Sequence, residues 1–132
     1  MSPIATGRVY ETREPSGPSD AVAVLCDRLW PRGLRKEDLS GVLWMKEWAP
    51  TGPLRQDFHA GRISPVLFRD RYRDELEARR ETILRDLAPM GSTGTSPGKP
   101  LLLLTASWEI ERSHLPLLRD YLEELLVPRP TP

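Results

Sequence analysis

Two short apolar runs stand out along the chain. Residues 21–26, Ala-Val-Ala-Val-Leu-Cys, are nearly unbroken in apolar character, and so are residues 101–106, Leu-Leu-Leu-Leu-Thr-Ala. Runs of this length, closed by polar or turn-forming residues, read as strands buried on both faces. A weaker strand is expected over residues 6–10, where Val9 and Tyr10 are β-prone. Elsewhere the period lengthens. Phe68, Tyr72, Leu76, Ile83 and Leu87 recur at spacings of four, four, seven and four. That is the apolar stripe of one long amphipathic helix over residues 64–87. Ser64 followed by Pro65 supplies a capping hydroxyl and a proline at the first helical position. The other faces carry Arg69, Asp70, Arg73, Asp74 and Glu77, opposite charges at spacings that suit a solvated surface. Leu115, Leu118, Leu122 and Leu125 predict a last helix, capped by Ser113.

The remaining pattern is shorter. Thr51 caps a brief helix over residues 53–58 that Gly61 ends, and residues 35–39 hold one helical turn. Residues 42–48 are expected to be extended, with Trp44, Lys46 and Trp48 on one face. Residues 11–20 read as a loop. Residues 88–100, rich in Pro, Gly, Ser and Thr, read as a mobile loop, and residues 127–132 as a frayed tail. The order is strand, strand, mainly helices, strand, helix. It predicts a single α/β domain over residues 1–132, with a small, mostly parallel sheet flanked by helices. A chain of 132 residues suits one core.

Composition narrows the function classes. The 19 Lys and Arg balance 19 Asp and Glu, which speaks against nucleic acid and membrane surfaces as partners, although a local basic cluster can exist within a neutral total. One cysteine excludes an internal disulfide, and a cytoplasmic location is expected. The amino-terminal stretch, Met1-Ser2-Pro3-Ile4-Ala5, has no charged region followed by an apolar core, so no signal peptide is expected.

The candidate chemistry sits where the 21–26 strand stops. Asp27-Arg28-Leu29-Trp30-Pro31-Arg32-Gly33 turns abruptly polar and then bends. In open α/β sheets ligands collect beyond the carboxyl ends of strands. Arg28 and Arg32 offer planar forks for phosphate or carboxylate, and Asp27 is placed to orient one of them or to act as a base. The alternative is a structural Asp–Arg network. Trp30, Trp44 and Trp48 either wall a pocket or pack in the core. His59 and His114 are the only histidines and suit acid–base roles. No metal site is expected from two isolated histidines, and no glycine-rich loop supports a nucleotide cofactor, so no cofactor is expected. Cys26 and Arg32 satisfy Cys-x5-Arg, the spacing of phosphatase-type phosphate loops. Pro31 removes an N–H donor, however, and no glycine lies inside the loop. Cys26 is therefore expected to be a core residue.

The Asp27–Gly33 string resembles the signature of the domain-of-unknown-function family 488, in its YeaO-like branch. Supporting pieces follow in the family's order: Arg8-Val9-Tyr10, Lys36-Glu37-Asp38-Leu39, Lys46-Glu47-Trp48-Ala49-Pro50, Leu54-Arg55, Phe58-His59, Phe68-Arg69-Asp70-Arg71-Tyr72, the leucine strand and His114. The similarity spans about residues 8–126. It implies a small α/β domain and no particular activity. Valine is common in the family where Cys26 stands, which fits a buried strand position. Ser113-His114 departs from the family's usual Asn-His.

Two functions remain in view. The first is a cytoplasmic enzyme or binder of a small anionic molecule. Arg28, Arg32, Trp30, Lys46 and Arg55 would hold the ligand, and Asp27, His59 and His114 would be the acid–base groups. The second is a noncatalytic interaction module in which the same residues form a structural network. An apolar face with Trp44 or Trp48 would then mediate a homodimer.

Overall fold

A computed structural model describes residues 4–11, 21–90 and 100–126. Four strands form one sheet: β1 (Ile4–Arg8), β2 (Val22–Leu25), β3 (Leu43–Trp44) and β4 (Leu101–Thr105). Their order is β1-β4-β2-β3, and every pairing is parallel. The leucine strand β4 thus lies between β1 and β2. This is the α/β fold with a small parallel sheet that the apolar runs predict.

Alternation along the central strands divides the core in two. Val24, Leu101 and Leu103 belong to the larger cluster, which the helices cover. Leu25 and Leu104, one residue on, belong to a smaller cluster with Val9 and Leu39. Successive side chains of a strand point to opposite faces, so a continuous apolar run is what two buried faces require.

The helices are α1 (Gly52–His59), α2 (Pro65–Ala78), α3 (Arg80–Leu87) and α4 (Leu115–Leu126). Ser64 caps α2, its hydroxyl accepting from the Leu67 N–H at 3.1 Å. The expected single helix over 64–87 is two helices that break at Arg79, whose φ of −106° and ψ of 13° leave the helical region. The Arg79 guanidinium reaches away to the carbonyls of Glu47 (2.7 Å) and Ala49 (3.2 Å). The stripe itself is buried throughout, from Phe68 to Leu87. The opposite face is solvated as expected, and Arg73 forms a surface ion pair there with both side chains about half exposed. It donates to Glu124 at 2.6 Å and lies 5.5 Å from the Tyr121 ring centroid.

Other boundaries shift. The first strand starts and ends two residues early, and Val9–Glu11 turns. Thr51 stands at the start of α1, but its hydroxyl donates to Glu75 at 2.6 Å instead of capping. The extended segment expected at 42–48 is only the two residues of β3, followed by a tight turn at Lys46–Trp48. That turn separates the side chains. Trp48 is fully buried, donating to Asp86 at 3.0 Å, while Trp44 is exposed. Of the mobile loop expected at 88–100, Ala88–Met90 forms a turn and 91–99 lies outside the described residues, as does the tail at 127–132.

Candidate functional site

Because β2 and β4 are adjacent and parallel, their carboxyl ends open on the same edge. Asp27 clamps them together. Its Oδ1 accepts from the Thr105 hydroxyl and its Oδ2 from the Ala106 N–H, both at 2.7 Å. The ladder continues one step past β2, the Cys26 N–H donating to the Leu104 carbonyl at 2.9 Å. The Cys26 carbonyl then takes a bond from His114 Nε2 at 2.7 Å. A carbonyl cannot donate, so Nε2 carries the proton and the neutral ring leaves Nδ1 as acceptor. Two residues in a row, Cys26 and Asp27, thereby tie β2 to β4 and to His114 at the start of α4.

Burial dominates at His114 and lowers its pKa below the ordinary histidine value. The nearby Asp27 carboxylate, 3.7 Å from Nε2, and the bond to Cys26 oppose the shift, and the Arg55 charge adds to it. Burial pushes the Cys26 thiol well above its usual range, and the Asp27 charge adds to this. A fully buried thiol held protonated is the core residue expected from the apolar run, not a nucleophile.

Arg28 is committed to the fold. Its Nε donates to the Pro50 carbonyl and its Nη2 to the Ala49 carbonyl, each at 3.1 Å, and Nη1 lies 3.5 Å from Glu47 Oε1. Together with Arg79 it holds the 47–50 segment. Trp30 donates through Nε1 to the Leu34 carbonyl at 2.7 Å and packs edge-on against Trp44 at 5.2 Å. The turn closes at Gly33, whose φ of 80° is the left-handed conformation that glycine adopts without strain.

These elements enclose a cleft of about 470 Å³. Asp27, Arg28, Trp30, Arg32, Arg55, His59 and His114 all line it. Lys46 does not; it is exposed, with its ammonium 5.5 Å from the Trp44 ring centroid. Four further contributors were not foreseen as site residues. Arg112 lies in the turn before α4, Tyr10 follows β1, and Phe58 and Phe68 come from α1 and α2. The order of strands brings Tyr10 to the same edge, and no local pattern signals that. Trp108 is not part of the cleft wall. It is 82% exposed, under the Arg8 guanidinium at 4.1 Å.

Four arginines and one carboxylate therefore share one cleft in a chain whose formal charge is zero. Among the described residues, neither Arg32 nor Arg55 has an ion pair or a side-chain hydrogen bond. Arg112 pairs with Glu109 at 3.0 Å, but both side chains are mostly exposed, so the pair is weak. No cluster of three or more His, Cys, Asp and Glu suited to a metal ion occurs among the described residues.

Fold and site together define a small parallel α/β domain with a cleft at the carboxyl ends of its strands. The chain belongs to the DUF488-N3i family, described as the inactive DUF488-N3 subclade, whose model matches residues 3–130. It is 36% identical over 118 residues to the uncharacterized protein YeaO of Escherichia coli K12, covering 89% of this chain and 95% of that one. It is 32% identical over 120 residues to the uncharacterized protein Rv3073c of Mycobacterium tuberculosis H37Rv, covering 90% and 92%. The uncharacterized protein Mb3100c of Mycobacterium bovis gives the same identity and coverage. No solved structure matches the chain. Among the described residues, no helix is long and apolar enough to cross a membrane.

Proposed function

We propose that the strand-end cleft binds a small anionic molecule and does not transform it. The observation that carries this reading is the pair Arg32 and Arg55, which line the cleft with no anionic partner among the described residues. Both residues are exposed at the rim of the cleft, where a guanidinium is an accessible fork for phosphate or carboxylate. Two of the three groups that would do chemistry, Asp27 and His114, are otherwise engaged, while His59 stands exposed on the cleft wall. Both Asp27 oxygens accept short bonds from β4 and the residue after it, and His114 Nε2 is spent on the Cys26 carbonyl. The family's description as an inactive subclade points the same way. The reading keeps the cytoplasmic location expected from the lone, buried cysteine.

The test is calorimetric titration with phosphate and sulfate of the wild type, Arg32→Gln and Arg55→Gln, each first checked for folding. Binding that weakens with salt is expected in the wild type. Loss of either arginine should weaken it by about 1.5–3 kcal/mol, roughly 10- to 150-fold. Folded wild type that takes up neither anion, or folded variants that bind as well as it does, would defeat the proposal.

A second reading is favoured by one observation. Leu29, Leu43 and Trp44 are exposed, and the last two lie on β3 at an open edge of the sheet. Exposed edge strands with apolar side chains invite pairing. On this reading the chain forms a homodimer through β3. Sedimentation that gives a monomer at all concentrations would dismiss it.

A further inference from the structure

We propose that the anion bound in the cleft carries a planar aromatic ring and has about the size of a nucleoside monophosphate. This rests on the anion reading above and adds the ring. The cleft is larger than an inorganic anion needs, and aromatic side chains from four parts of the chain line it: Tyr10, Trp30, Phe58 and Phe68. Cavities of several hundred Å³ walled by aromatics, with a few fixed polar groups, suit organic ligands.

The condition of the rings matters more than their number. The Tyr10 hydroxyl donates to the Arg32 carbonyl at 3.0 Å, and Trp30 Nε1 to the Leu34 carbonyl at 2.7 Å. Each polar tip is satisfied inside the protein, so what these side chains offer a ligand is ring surface. Phe58 and Phe68 are stacked on each other with centroids 4.2 Å apart and planes 17° from parallel. Phe68 is itself buried, stacked also on Tyr72 at 6.0 Å, so it backs Phe58, and the Arg8 guanidinium lies 5.4 Å from the Tyr10 ring centroid. The ring surface that remains is fixed before a ligand arrives, and stacking on it costs little side-chain entropy. The Tyr10 bond also joins the aromatic wall to the turn that carries Arg32, so ring and anion contacts are held in one frame. A bare phosphate would use the guanidinium groups and leave the rings idle.

The experiment is titration of the full chain with a purine and a pyrimidine nucleoside 5′-monophosphate, ribose 5-phosphate and inorganic phosphate. At least one mononucleotide should bind about 10-fold or more tighter than ribose 5-phosphate, the usual range for stacking on an aromatic side chain. Trp30→Leu should weaken mononucleotide binding more than ribose 5-phosphate binding and so remove that advantage. If Trp30→Leu does not fold, Tyr10→Leu makes the same comparison, with Tyr10→Phe, which keeps the ring, as its control. Equal affinity for mononucleotides and ribose 5-phosphate, both lost in Arg55→Gln, would overturn the ring and leave the anion site standing. A mononucleotide preference that survives both ring substitutions would also overturn it. Failure of every phosphate compound to bind would remove the anion site and the ring together.

Discussion

Asp27 shows how one side chain can look catalytic and act as a joint. A carboxylate beside a histidine at a strand end suggests a base and its partner. Yet both oxygens are filled by donors from the end of β4, and the residue holds two strand ends in register. Asp27→Ala would leave the buried Thr105 hydroxyl and the part-buried Ala106 N–H without their acceptor, at a cost of about 1–3 kcal/mol in urea unfolding. A residue kept for chemistry commonly shows the reverse, with stability rising on its removal. His114 gives a second test. Its folded pKa lies below the ordinary value of 6.5, so the unfolded chain binds the extra proton first. Its contribution to stability is present above that value and is lost as pH falls below it. Urea midpoints measured from about pH 7 down to 5 should fall more steeply for wild type than for His114→Gln. Parallel profiles would mean that burial does not hold the imidazole neutral.

At the scale of elements, the break between α2 and α3 was not legible in the apolar pattern. Leu76 and Ile83 are seven apart, a spacing that stays in phase across a one-residue interruption, and no Gly or Pro marks the site. What ends α2 is Arg79, whose guanidinium is taken up by carbonyls more than thirty residues earlier or nearly so. The stripe itself was legible, because burial follows periodicity whether or not the backbone is continuous. Leu76, fully buried, should cost about 2–5 kcal/mol when replaced by Ala. Asp74 on the exposed side of the same helix should cost less than about 0.5 kcal/mol. Equal losses in thermal or chemical unfolding would mean that the face is misassigned. Residues 42–48 failed for a related reason. Two residues are too few to show a strand period, and the turn that follows sends Trp48 inward while Trp44 stays out.

For the whole molecule, the strand order decides where chemistry is possible. The two apolar runs were legible as buried strands of one mostly parallel sheet, and pairing them side by side brings residues 28–32 and 107–114 to one edge. The arrival of Tyr10 and the loss of Lys46 were not legible, since each depends on which strand sits at which edge. The split role of the arginines was also hidden. Arg28 and Arg32 are equivalent on the sequence, but only Arg28 meets the carbonyls of residues 49 and 50. We propose the strand-end cleft as the ligand site. The most direct test is an amide NMR titration of the wild-type protein with a phosphate monoester. Shifts are predicted to concentrate in residues 27–33, 55–59 and 105–114 and to fade with added salt. A saturable response confined to β3 and its surroundings, or none at all, would contradict the account.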